Sequence, residues 1–101
     1  MGTKLEPKDE ELYRRVDEVL HYIWDPIGVS GEPRARDEYY SYLPGIFKLI
    51  KDGAASEVIA QHLMDIVTNR MGLHGTIKGA LDVVSVLQDW KAVLDEKYGR
   101  Q

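Results

Sequence analysis

Three carboxylates are the residues best placed to do chemistry in this chain. Asp25 lies in the run Ile23-Trp24-Asp25-Pro26-Ile27-Gly28-Val29, and Asp37 and Glu38 follow in the run Asp37-Glu38-Tyr39-Tyr40. Brought together across a loop, they would bind a hard divalent cation or raise one another's pKa. Kept apart, each has a structural use. Asp25 can accept hydrogen bonds from the N–H groups of residues 27 and 28, while Pro26 pre-sets its own φ and Gly28 permits a positive one. Asp37 is a good helix N-cap, with Glu38 in the first turn. Trp24, Tyr39, Tyr40 and Tyr42, with Tyr13 and Tyr22, supply the aromatic types enriched at binding hot spots. The same side chains serve equally as core residues with a polar tip in water. Tyr39, Tyr40 and Tyr42 cannot share one helix face, so Tyr39 or Tyr40 is expected to be exposed.

No catalytic constellation accompanies these residues. His21, His62 and His74 form no H-E-x-x-H pair or other close two-histidine spacing, although His21 stands four residues from both Asp17 and Asp25. There is no cysteine, which removes thiol catalysis and cysteine-based zinc sites. No G-x-S-x-G elbow, phosphate-cradling glycine loop or Walker sequence is present. No catalytic residue, cofactor or metal ligand is therefore assigned.

Charge narrows the partners. The formal net charge is −4, with 13 Lys and Arg against 17 Asp and Glu scattered along the chain. A nucleic-acid partner is disfavoured because no basic stripe exists to meet phosphates, and an anionic membrane surface is disfavoured for the same reason. No run approaches the ~20 apolar residues of a membrane span. The N-terminal Met1-Gly2-Thr3-Lys4-Leu5-Glu6 lacks the apolar centre of a signal peptide, and the absence of cysteine suits a reducing compartment, so a cytoplasmic location is expected.

Helices must position whatever site exists. Pro7, Asp9, Glu10 and Glu11 suit the first turn of a helix, and Leu12, Val16, Val19, Leu20 and Ile23 recur at the spacing of one face up to Trp24. Residues 25–36 hold Pro26, Gly28, Ser30, Gly31 and Pro33 and read as a long loop. A second helix is expected from about Asp37 to Lys51, its stripe Leu43, Ile46, Phe47 and Ile50 interrupted by Pro44, which must kink or restart it. Gly53 closes it, and Ser56 caps a third helix through Ile59, Leu63, Ile66 and Val67 to a stop at Gly72. Thr76 caps the last, whose stripe is Ala80, Val83, Val84, Leu87, Trp90, Leu94 and Tyr98. No segment alternates as a half-buried strand does. The pattern predicts one all-α domain over residues 1–101, a compact antiparallel four-helix bundle with a long loop after helix 1 and a flexible 1–6 segment.

The run 23–29, followed by Asp37-Glu38-Tyr39, Tyr42 and Leu49-Ile50, resembles a family of small bacterial helical proteins of unknown function. Some of its members look like the immunity proteins that accompany toxins. The likeness extends through Ser56-Glu57-Val58-Ile59, Leu63 and Met71-Gly72-Leu73. It implies a bacterial helical bundle and carries no catalytic residues. Where the family's pattern often has an acid after Asp-Glu-Tyr, this chain has Tyr40.

These readings converge on a non-enzymatic protein-interaction module, immunity-like or accessory, whose contact zone is Trp24, Asp25, Pro26, Gly28, Asp37, Glu38, Tyr39, Tyr40 and Tyr42. One alternative is a small-ligand or divalent-metal-binding protein using the acidic loop. Another is a structural homo-oligomer that buries apolar surface of the last helix.

Overall fold

The first helix, α1 (Pro7–Val19), begins with proline where a missing N–H costs nothing and with Asp9 and Glu10 at the positive end of its dipole. The computed structural model describes residues 5–99. The segment expected to be flexible falls mainly on residues 1–4, outside that range, and Glu6 is the N-cap of α1. Leu12, Val16 and Val19 are buried, as their spacing predicts.

The last turn of that helix departs from prediction. Residues Leu20–Trp24 form a π-turn, with the N–H of Asp25 reaching back to the carbonyl of Leu20 at 3.0 Å. A π-turn holds more residues per turn than an α-turn, so the face that follows is rotated by about one residue. His21 is buried at 2% exposure, Trp24 packs against the core, and Ile23, expected inside, is 54% exposed.

The second helix, α2 (Leu43–Lys51), starts later than predicted. Asp37 is not its N-cap; Tyr42 holds that position, and no side chain caps the end. Residues 33–42 instead wind through one 3₁₀ turn (Pro33–Ala35) and a succession of turns, closed by bonds such as Tyr40 N–H to Asp37 C=O and Tyr42 N–H to Tyr39 C=O. Pro44 therefore starts the helix, in the first turn where its missing donor is harmless. Leu43, Ile46, Phe47 and Ile50 are buried as their stripe predicts.

The third helix, α3 (Ser56–Asp65), also ends in a π-turn, Ile66–Arg70, before Gly72 turns the chain with φ of +66°. Ser56 is not its cap; Ala55 is, and the Ser56 hydroxyl lies 3.0 Å from Gln88 Oε1, to which it donates, joining α3 to the last helix. That helix, α4 (Ile77–Lys97), is capped by Thr76, whose hydroxyl oxygen accepts from Gly79 N–H. It packs along both α3 and α1. Ala80, Val83, Val84, Leu87 and Leu94 are buried, while Trp90 and Tyr98 are only partly so. The Arg15 guanidinium lies over the Trp90 ring at 5.3 Å, and Tyr98 donates to Glu11 at 2.8 Å.

The described residues form an all-α bundle of four helices around one core, with the long connection after helix 1. No helix among them is long and apolar enough to cross a membrane. The two ends of the bundle differ. Where α1 begins and α4 ends, helices are bridged by the ion pairs Lys8–Asp95, Lys51–Asp9 and Lys97–Glu11. At the other end lie the π-turns, the loop after α1 and the α3–α4 connection.

Candidate functional site

Asp25 organises the loop. It leaves the π-turn in the left-handed region, φ +32°, which Asp tolerates better than most residues. This backbone folds the chain around its own carboxylate. Oδ1 accepts from Val29 N–H at 2.8 Å and Gly28 N–H at 3.1 Å, and Oδ2 accepts from Ser30 N–H at 3.0 Å. The Tyr39 hydroxyl donates to Oδ1 at 2.7 Å and accepts from Ile27 N–H at 3.0 Å. The predicted turn is present, but its donors are residues 28, 29 and 30 rather than 27 and 28. Ile27 is diverted to Tyr39, a partner far along the chain. Gly28 adopts φ +83°, the conformation the turn requires.

The electrostatics follow from this arrangement. Burial works against the Asp25 charge, but the Tyr39 hydroxyl and the Val29 and Ser30 N–H groups outweigh it and hold the carboxyl below the usual range. Burial and the bond to Asp25 push the Tyr39 phenol up to about 12. A second clamp holds the same loop: Arg36 bonds both oxygens of Asp17 at 2.9 and 3.1 Å and lies over the Tyr22 ring.

The candidate residues thus separate into groups. Asp25 and Tyr39 are spent internally, and Tyr39 is only 3% exposed. Tyr42 is half-buried and, like Tyr39, makes a ring contact with Trp24. Tyr40 is the exposed tyrosine of the pair, at 49%. Asp37 and Glu38 are exposed on the turns just before Tyr39 and are not bonded to Asp25. Among the described residues, no three His, Asp or Glu side chains are grouped to hold a metal ion. Ile27, next to Pro26 in the turn, is exposed. His21 is buried against the Tyr22 ring with no hydrogen-bond partner for Nδ1 among the described residues.

Trp24 and Pro26 have a further position. With Ile23 they form one wall of a groove of about 300 Å³, which runs over Leu63, Met64 and Val67 to the start of α4. His74, Gly75 and Thr76 form the opposite rim, and Ala80 and Val83 belong to its floor. The periodicity that ends one helix at Gly72 and starts the next at Thr76 says nothing of this half. The signal was compositional: residues 20–31 and 71–77 together contain one charged side chain, Asp25, in a chain of which 30% is charged. Asp25 turns that charge inward.

No family model, curated protein or solved structure matches the chain. The Asp25 carboxylate already has four donors. The groove is a concavity with exposed Ile23 in its lining, and exposed Ile27, Leu73 and Ile77 adjoin lining residues in the chain, a composition suited to an interface centre.

Proposed function

We propose that this chain is a non-catalytic protein-interaction module that docks a protein partner on the groove at the loop end of its bundle. The carrying observation is the groove, whose lining contains no Asp, Glu, Lys or Arg and includes exposed Ile23. An immunity-like or accessory role in a bacterial cytoplasm agrees with the likeness of the Trp24–Val29 and Asp37–Tyr39 runs. The contact zone shifts accordingly. Trp24 and Pro26 face the partner, Tyr40 lies beyond them, and Asp25, Gly28 and Tyr39 hold the loop in shape. The divalent-ion alternative lacks a grouped ligand set among the described residues and is not adopted.

The test is affinity capture with charge-insertion variants at exposed positions. Ile23→Asp and Ile77→Asp are each expected to abolish a stoichiometric partner that Val58→Asp, on the exposed face of α3, retains. Equal retention by all three folded variants would place the contact elsewhere.

A further inference from the structure

The outer face of α4 carries an apolar stripe that the bundle leaves uncovered. Val86, Trp90 and Val93 recur at four and three residues; Val93 is 53% exposed, and Val86 and Trp90 are half-buried. With Asp89 they line a hollow of about 230 Å³ that shares no residue with the groove at the loop end. We infer that this face is the contact of a symmetric dimer, in which a second copy of the chain packs on it with the two-fold axis parallel to α4. Val86 and Val93 are one heptad apart, so in that arrangement each meets its own counterpart, as β-branched residues do along the seam of a parallel two-stranded coiled coil.

Charge selects the occupant. Asp82, Asp89 and Glu96 stand one heptad apart and form an acidic row along one flank of the stripe. Asp82 is paired with Lys78, whereas exposed Asp89 has no hydrogen bond or ion pair among the described residues. On the other flank the Arg15 guanidinium lies over the Trp90 ring at 5.3 Å. Its Nη1 donates to Glu18 at 2.7 Å and its Nε has no partner among the described residues, so it keeps donors for a second carboxylate. Successive helical residues differ by about 100° around the axis and about 1.5 Å along it. Asp89 and Trp90 therefore stand at one level on opposite sides of the Val86–Val93 line. A two-fold axis parallel to the helix brings opposite flanks together at one level, so Asp89 of each copy meets Arg15 and Trp90 of the other, and the contact is made twice. An antiparallel pairing about the same centre would set Asp89 against Asp89, with like charges opposed. The face thus holds both halves of a complementary pair, which is what a second copy requires.

The experiment is sedimentation equilibrium of the chain and its variants, joined to thiol cross-linking. The native chain should show a monomer–dimer equilibrium with a Kd on the order of 100 µM, since one helix face and its flanks lie at the small end of specific interfaces. Asp89→Arg sets like charge against Arg15 and should raise that Kd at least ~10-fold, and Val93→Asp should leave only monomer at ~1 mM, both with unchanged helical circular dichroism. The chain has no cysteine, so one introduced thiol reports on its own counterpart. Under mild oxidation Val93→Cys should form a disulfide-linked dimer at least ~10-fold faster than Val58→Cys, at a position 52% exposed on α3. A native chain that stays monomeric at ~1 mM, about ten times the expected Kd, would overturn the dimer. A dimer indifferent to both Asp89→Arg and Val93→Asp would overturn the face, and equal cross-linking of the two cysteine variants would overturn the axis. Ile23→Asp and Ile77→Asp, which test the groove, should leave the dimer intact; its loss in either would move the contact to the loop end and refute this inference.

Discussion

Removing the Tyr39 hydroxyl is the sharpest perturbation available, because one oxygen joins two segments of the loop. In Tyr39→Phe the ring stays in the core and only the hydroxyl leaves. The bond lost to Asp25 is short, 2.7 Å, and made to a charged acceptor. Such bonds contribute about 1.5–3 kcal/mol. The Ile27 N–H also loses its acceptor, but Ile27 is exposed and water can replace it at little cost. A loss of about 2 kcal/mol would lower the melting temperature of a domain this size by roughly 8–16 °C. The assay is urea unfolding followed by circular dichroism, run as a double-mutant cycle with Asp25→Gly, since glycine accepts the positive φ at that position. The coupling between the two substitutions should be about 1.5–3 kcal/mol. Additive effects, with coupling under ~0.5 kcal/mol, would refute the claim that this bond closes the loop.

The remaining predictions concern pH, the core and the metal alternative. Because the Asp25 carboxyl is held below its ordinary value, its stabilisation is complete above the unfolded value near ~3.9 and is lost as pH falls through the folded one. The stability gap between the native chain and Asp25→Gly in acid titrations should narrow in that window, and a constant gap would contradict the assignment. Tyr39, pushed up to about 12, stabilises fully below the unfolded value of ~10 and progressively less as pH rises towards 12. Tyr13 and Tyr98 are also held above the ordinary value, but tyrosinate absorbance should lose its latest-titrating phenol in Tyr39→Phe. Leu63→Ala and Leu87→Ala, both at fully buried positions, should each cost about 2–5 kcal/mol in denaturant unfolding. A loss below ~1 kcal/mol would mean the helix faces are misassigned. A panel of divalent cations at millimolar concentration should leave the melting temperature unchanged, because binding confined to the native state would raise it. A rise abolished by Asp37→Ala or Glu38→Ala would restore the metal reading.

What the sequence determined was whatever depends on residues a few positions apart. The apolar stripes of α2 and α4 predict their buried faces because helical neighbours recur at three and four residues, and tertiary packing uses those faces. Thr76 could be read as a cap and Asp25-Pro26-Ile27-Gly28 as a turn because their bonds close within three to five residues. The tertiary structure decided the rest. Ile23 and His21 exchange places because a π-turn shifts the helical register, and a period of 3.6 carries no sign of it. Asp37 lost its role as a cap because the chain from 33 to 42 follows the Tyr39–Asp25 and Arg36–Asp17 bonds, which span 14 and 19 residues. Ser56 turned from its own helix end to Gln88, 32 residues away. The groove belongs wholly to this second class. Its walls come from residues 23–26 and 74–76, and only the packing of α1 and α3 against α4 brings them to one end of the bundle. Local chemistry could mark those stretches as uncharged. Joining them into one concave surface required the fold.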